Sequence, residues 1–198
     1  MKNQQRLFIA ITLPDDLLEG LADVQARLKR KLARYPLRWV RPEGIHLTLK
    51  FLGDTDPARI PEIVAALEAR ASAQAPFQVA VGGLGMFPNA RRPSVLWVGV
   101  QDEQRHLQRL ARQIDKAMTN LGWQPERKPF TGHLTLARVQ RHASNGERRA
   151  LGQEVTDLRG FERVGVLSVR RVCIMRSHLR PGGAVYNHVH CVELGHEI

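Results

Sequence analysis

The chain has 198 residues, 43% of them hydrophobic, and carries 30 Lys and Arg against 19 acidic residues, a net charge of +11. That length supports one substantial core or two small lobes sharing one, and the apolar content argues against long disordered tracts. Only six of the basic residues are Lys and 24 are Arg, whose planar fork of donors matches phosphate, so a phosphate-rich partner such as nucleic acid is expected.

Lys2 and Arg6 precede an apolar run, Arg6 to Leu13, that reads as a buried strand and stops at Pro14-Asp15-Asp16. The run is too short for a signal-peptide core, and no segment approaches a membrane span, so a cytoplasmic protein with no membrane partner is expected. Pro14 and the two acids open a helix whose apolar face is Leu17, Leu21, Val24, Leu28 and Leu32. A short strand, Leu37 to Arg41, leads through a Pro42-Glu43-Gly44 turn into a strand over Ile45 to Leu52. Gly53 to Pro57 starts a second helix with Ile60, Ile63, Val64 and Leu67 on one face, and Phe77, Val79 and Val81 alternate as a strand. Gly82-Gly83-Leu84-Gly85 has neither the P-loop nor the dinucleotide pattern and reads as a turn. Pro93 to Val100 is apolar on both faces, as in a central strand, and a third helix runs from about Glu103 to Leu121. A strand over Phe130 to Val139, a polar loop through His142 to Gly146 and a helix to about Leu158 follow. Strands near Val164–Met175 and Ala184–Leu194 finish the chain. Cys173 and Cys191 are too few for a disulfide scaffold or a Cys-rich zinc site, and each is expected as a small buried hydrophobe.

One motif occurs twice. His46-Leu47-Thr48-Leu49 recurs as His133-Leu134-Thr135-Leu136, later by 133 − 46 = 87 residues. Side chains alternate along a strand, so each His shares a face with the Thr two residues on while the leucines turn inward. Each half of the chain reads strand, long helix, His strand, short helix, strand, which looks like an internal duplication. The halves are expected as two lobes of one unit, a duplicated α+β arrangement. Two facing copies place two imidazoles and two hydroxyls around one small anion. Imidazole titrates near neutrality, so one His can accept a proton from attacking water while the other donates to a departing oxygen, and the Thr hydroxyls can donate to non-bridging phosphate oxygens. Nothing in this scheme requires a metal or cofactor.

The chain resembles the 2H phosphoesterases, specifically the RNA 2′,3′-cyclic phosphodiesterases also called the 2′-5′ RNA ligase family. The resemblance rests on RLFIAITLP, RWVRPEGIHLTLKFLGD, GLGMFPNARRPSVLWVGV, FTGHLTLARV and SHLRPGGAVYNHV, and it spans nearly the whole chain. It implies an α+β fold of two pseudo-symmetric lobes, each an antiparallel-rich sheet with helices on the outer side, around a central cleft, forming a single domain over 1–198 with one His-x-Thr-x motif on each duplicated lobe. It implies opening of a terminal 2′,3′-cyclic phosphate on RNA to a 2′-phosphate, with reversible 2′-5′ joining of tRNA halves in vitro. It further implies His46 as proton donor to the leaving 3′-oxygen and His133 as the base that activates water; the residues alone leave the two roles open. Thr48 and Thr135 become phosphate-binding residues. Arg138 matches an arginine the family places near substrate, although strict alternation puts it opposite His133, so a bulge is needed. Gly132 stands where the family usually has Pro, which loosens the entry to the second strand.

Other candidates are weaker. Arg41, Lys50, Arg91 and Arg92 are placed as cleft cations for flanking RNA, and Phe51, Trp39 and Phe130 as base-stacking residues. His188 and His190 share a strand face by spacing, with His196 nearby, but no carboxylate or Cys cluster completes a set, so no metal site is expected. A monomer without an obligate protein partner is expected. The alternatives are an RNA-binding module without turnover and a phosphodiesterase on small cyclic nucleotides.

Overall fold

Thirteen principal elements appear in the computed structural model, which describes residues 4–161, 163–180 and 183–195. In chain order they are β1 (Gln5–Thr12), α1 (Asp15–Lys31), β2 (Leu37–Trp39), β3 (His46–Thr55), α2 (Ile60–Ala71), β4 (Phe77–Phe87), β5 (Val95–Gln101), α3 (His106–Asn120), β6 (His133–Val139), α4 (Asn145–Asp157), β7 (Gly165–Val169), β8 (Arg171–Arg180) and β9 (Gly183–Glu193). The strands form two antiparallel sheets ordered β3-β1-β8-β9 and β2-β6-β5-β4-β7. The expected α+β class holds.

The two sheets do not coincide with the two halves of the sequence. β2 and β4 belong to the first half yet join the second sheet, and β8 and β9 do the reverse. The long helices cross over as well: α1 follows β1 of the first sheet but hydrogen-bonds to the second through Gln25, while α3 follows β5 and packs on α2 and β3. One main apolar core, including Leu21, Leu28, Leu47, Ile63, Leu110, Leu134 and Ile174, runs between the helices and the inner faces of both sheets. The leucines of both motifs lie in it, as alternation predicts. No described helix is long and apolar enough to cross a membrane.

Three local readings change. β4 runs straight through the glycine segment expected as a turn, with a register shift between Val81 and Leu84 and Gly83 at φ +76°. A bulge there needs the left-handed backbone that glycine accepts without penalty. The run 164–175 breaks at Arg170, giving β7 in the second sheet and β8 in the first. Cys173 and Cys191 are not independent hydrophobes: they sit directly opposite on β8 and β9 and are joined by a disulfide.

The first sheet curls. Its edge strands β3 and β9 would lie about 14 Å apart if flat, three strand spacings, yet the Tyr186 ring on β9 meets the His46 ring on β3 with centroids 4.8 Å apart. The concave side so formed holds a second, small apolar cluster of Phe8, Ala10, Cys173 and Met175, with Tyr186 and Cys191 packed against it.

Candidate active site

The two His strands share more than four letters. Residues 46–52 and 133–139 show the same succession of half-buried, buried, half-buried, buried, buried, exposed, buried. The two consecutive buried positions mark a bulge in each strand. On β3 the register passes from Thr48 opposite Ala10 to Lys50 opposite Ile9, leaving Leu49 unpaired. On β6 it passes from Thr135 opposite Trp97 to Ala137 opposite Leu96, leaving Leu136 unpaired. The extra residue returns position five after each His to the face the His occupies. Arg138 thereby shares the His133 face, and Phe51 takes the matching place beside His46, 64% exposed.

Each bulge is braced by the helix that crosses to its sheet. The carbonyl of the unpaired Leu136 accepts from the buried Gln25 Nε2 at 2.9 Å and from Val40 N at 2.9 Å, while Gln25 also donates to Val40 O. On β3 the bulge turns Lys50 inward, 2% exposed, where its Nζ donates to Asp115 Oδ1 and Gln124 O, both at 2.6 Å. Lys50 is therefore a buried structural cation, not a cleft residue; its partner lies 65 positions away.

The imidazoles are held alike. His46 Nδ1 lies 2.9 Å from Gly44 O, and His133 Nδ1 lies 2.8 Å from Thr131 O. A carbonyl only accepts, so each Nδ1 carries the proton and each Nε2 is left for other chemistry. Aromatic rings fix the planes: Phe8 at 4.7 Å and Tyr186 at 4.8 Å against His46, Phe87 edge-on at 4.8 Å against His133, with Trp97 at 6.2 Å. Trp97 lies flat over Gly85, where an added Cβ would come within 2.1 Å of the indole. Gly132 does not leave the second His loose, because its carbonyl accepts from Val100 N at 3.0 Å and the Thr131 bond follows. Phe8, Tyr186, Phe87 and Trp97 escaped the sequence reading; Tyr186 arrives only through the curl.

Burial lowers His46 to about 4; the Gly44 bond opposes this, and the charges of His133 and Arg138 add to it. His133 is lowered by burial, against the Thr131 bond and with Arg138. These couplings bring His46, His133 and Arg138 into one electrostatic unit, with both imidazoles neutral at pH 7. The linkage follows from the sign. A folded value below the unfolded 6.5 leaves stability intact above pH 6.5 and removes it as pH falls toward 4, by up to about 3 kcal/mol for His46. Denaturant titrations at pH 7 and pH 4.5 are expected to show a smaller acid loss in His46→Gln than in the unaltered protein; equal losses count against a desolvated His46.

Of the remaining candidates, Arg41, Arg91 and Arg92 are exposed, and the backbone N–H groups of the last two donate to Asn89 Oδ1. Trp39 and Phe130 are half-buried against the main core. His188 and His190 face opposite sides of β9, because Val189 is an extra residue between the pairs Met175–His188 and Ile174–His190; His190 turns toward Glu68 of α2. His196 lies outside the described residues.

The family described as LigT-like phosphoesterase matches the chain twice, over residues 11–97 and 98–186. An RNA 2′,3′-cyclic phosphodiesterase of Methanothermobacter thermautotrophicus is 32% identical over 91% of this chain and 94% of its own length. Another protein of that name, from Archaeoglobus fulgidus, is 32% identical over 95% and 99%. Among solved structures, a Thermus thermophilus protein superposes with a TM-score of 0.79 at 28% identity, covering 98% of this chain and 100% of that one.

Proposed function

Because the chain belongs to the LigT-like phosphoesterases, a 2H phosphoesterase family, we propose that it hydrolyses terminal 2′,3′-cyclic phosphates on RNA to 2′-phosphomonoesters. The observation that carries this reading is the pair of imidazoles fixed through Nδ1, each with a Thr two residues on, and both within electrostatic reach of Arg138. The reading is supported by relatives named for that activity, and the double family match supports two copies of one unit, one motif each.

In this scheme the cyclic phosphate lies between the two His strands with Arg138 and the hydroxyls of Thr48 and Thr135 on its non-bridging oxygens. His133, neutral, takes a proton at Nε2 from water as the water oxygen bonds to phosphorus. The P–O3′ bond breaks, and His46 gives its Nε2 proton to the 3′-oxygen, leaving a 2′-phosphate and a free 3′-hydroxyl. His46 must be protonated at that moment. The anion supplies the condition, since its charge offsets Arg138 and draws a proton onto the imidazole facing it. A 5′-hydroxyl replacing water in the same attack yields a 2′-5′ linkage, so RNA joining uses the same groups. Purified protein in EDTA is expected to convert an oligonucleotide ending in a 2′,3′-cyclic phosphate to the 2′-phosphate; a 3′-phosphate product, or bound but unconverted RNA, refutes the scheme.

A further inference from the structure

The concave face of the first sheet carries a cluster of soft donors that the phosphodiester chemistry does not use. Cys173 faces Cys191 and Met175 faces His188, two successive cross-strand pairs on β8 and β9. The extra residue Val189 makes this square: without it Cys173 would oppose His190, and His188 would not share the Cys191 side. One ligand atom each from Cys173, Cys191 and His188 falls within 4.8 Å of the others. Cys173 is fully buried and Met175 is buried beside it, while His188 is exposed at the rim and makes no hydrogen bond or ion pair among the described residues. The donors are thus walled by Phe8, Ala10 and Tyr186 on one side and open to solvent at His188 on the other.

We propose that Cys173, Cys191 and His188, with the Met175 thioether alongside, form a site for one thiophilic metal ion when the cysteine pair is reduced. The donor set decides the class. Thiolate and thioether sulfur with one imidazole and no carboxylate suit Cu(I) first and Zn(II) second, and disfavour Mg(II), Ca(II) and Mn(II). In the oxidised state the two sulfurs bond to each other and are lost as thiolate ligands. A phosphine reductant and one water convert the disulfide to two thiols and a phosphine oxide; the ion then displaces the two thiol protons as it binds. Disulfide and metal site are alternative states of the same pair.

The test uses the full chain, reduced anaerobically with a phosphine, then titrated with Cu(I) against a chromophoric chelator and, separately, with Co(II) as a coloured stand-in for Zn(II). One equivalent of Cu(I) withdrawn from the chelator, or one equivalent of Co(II) with a thiolate charge-transfer band, is expected. Cys173→Ser with Cys191→Ser is expected to abolish it. His188→Gln, at an exposed position that leaves folding alone, is expected to weaken it by more than about 10-fold. Met175→Leu weakens Cu(I) selectively if the thioether is a ligand. No uptake of either ion, uptake indifferent to His188→Gln, or a pair that stays oxidised under phosphine overturns the proposal.

Discussion

His46→Ala and His133→Ala are each expected to lower kcat by about 10²–10⁴-fold, the span of one positioned proton-transfer group, with binding of the RNA end largely kept. In the proposed scheme binding survives because Arg138, Thr48 and Thr135 remain. The two losses separate by leaving group. An aryl phosphodiester expels a weakly basic phenolate that needs no proton, so the residue acting as acid becomes dispensable on that substrate while the base does not. If His46 is the donor, His46→Ala recovers most of its activity on the aryl ester and His133→Ala does not. The opposite pattern exchanges the roles on unchanged geometry. Equal recovery of both variants, or either variant within tenfold of the unaltered protein on RNA, sinks the division of labour. The depressed His46 sharpens the experiment, since an imidazole held near 4 by burial acts as an acid only once an anion sits against it. Substrate binding at neutral pH therefore takes up a proton, and His46→Ala loses that uptake.

What could be read from the letters was the alternation, and it sufficed to pair His46 with Thr48 and His133 with Thr135. Period two gives which side chains share a face, and the leucines between them name the buried side. What it could not give was the bulge. In HLTLKFL a lysine falls on the buried position, and its burial is tolerable only because Asp115 of α3 and the Gln124 carbonyl meet it, partners that no local window contains. In HLTLARV the small Ala137 at the same place offered the better hint, since an alanine before an arginine on an otherwise amphipathic strand allows two inward residues in a row. The cysteine pairing is hidden in the sequence for a related reason. Both lie in apolar runs, but their meeting depends on hairpin register, which the extra residue Val189 shifts by one. Curl was equally invisible: Tyr186 and His46 are 140 positions apart (186 − 46) at opposite edges of a sheet, and only strong coiling brings their rings together. Exchange of β2 and β4 for β8 and β9 between the sheets left one His strand in each sheet.

Arg138→Ala is expected to lower kcat/KM by about 10²-fold, close to the removal of one preorganised donor to a charged transition state, and to raise the titration of both histidines. The second effect has a fixed sign, because Arg138 pushes both imidazoles down and its removal lets each hold a proton at higher pH. Histidine ring resonances followed by NMR across pH 3–8 read that shift directly. The same pair of readouts tests why Arg138 shares the His133 face at all. Gln25, 1% exposed, donates to the carbonyl of the bulged Leu136, two residues before Arg138, so Gln25→Met keeps the volume of the side chain and removes the brace. Leu136 O then keeps Val40 N alone, and stability is expected to fall by about 1–3 kcal/mol for the two lost bonds, to Leu136 O and Val40 O. If the brace positions Arg138, both histidines also move upward in Gln25→Met, by less than in Arg138→Ala, and kcat/KM falls with them. A variant that loses stability while its histidine titrations and kcat/KM stay put shows the bulge to be held by the strand itself. In that case the arginine is aimed by β5 pairing, where Val95 opposes it, and the helix contributes packing without geometry.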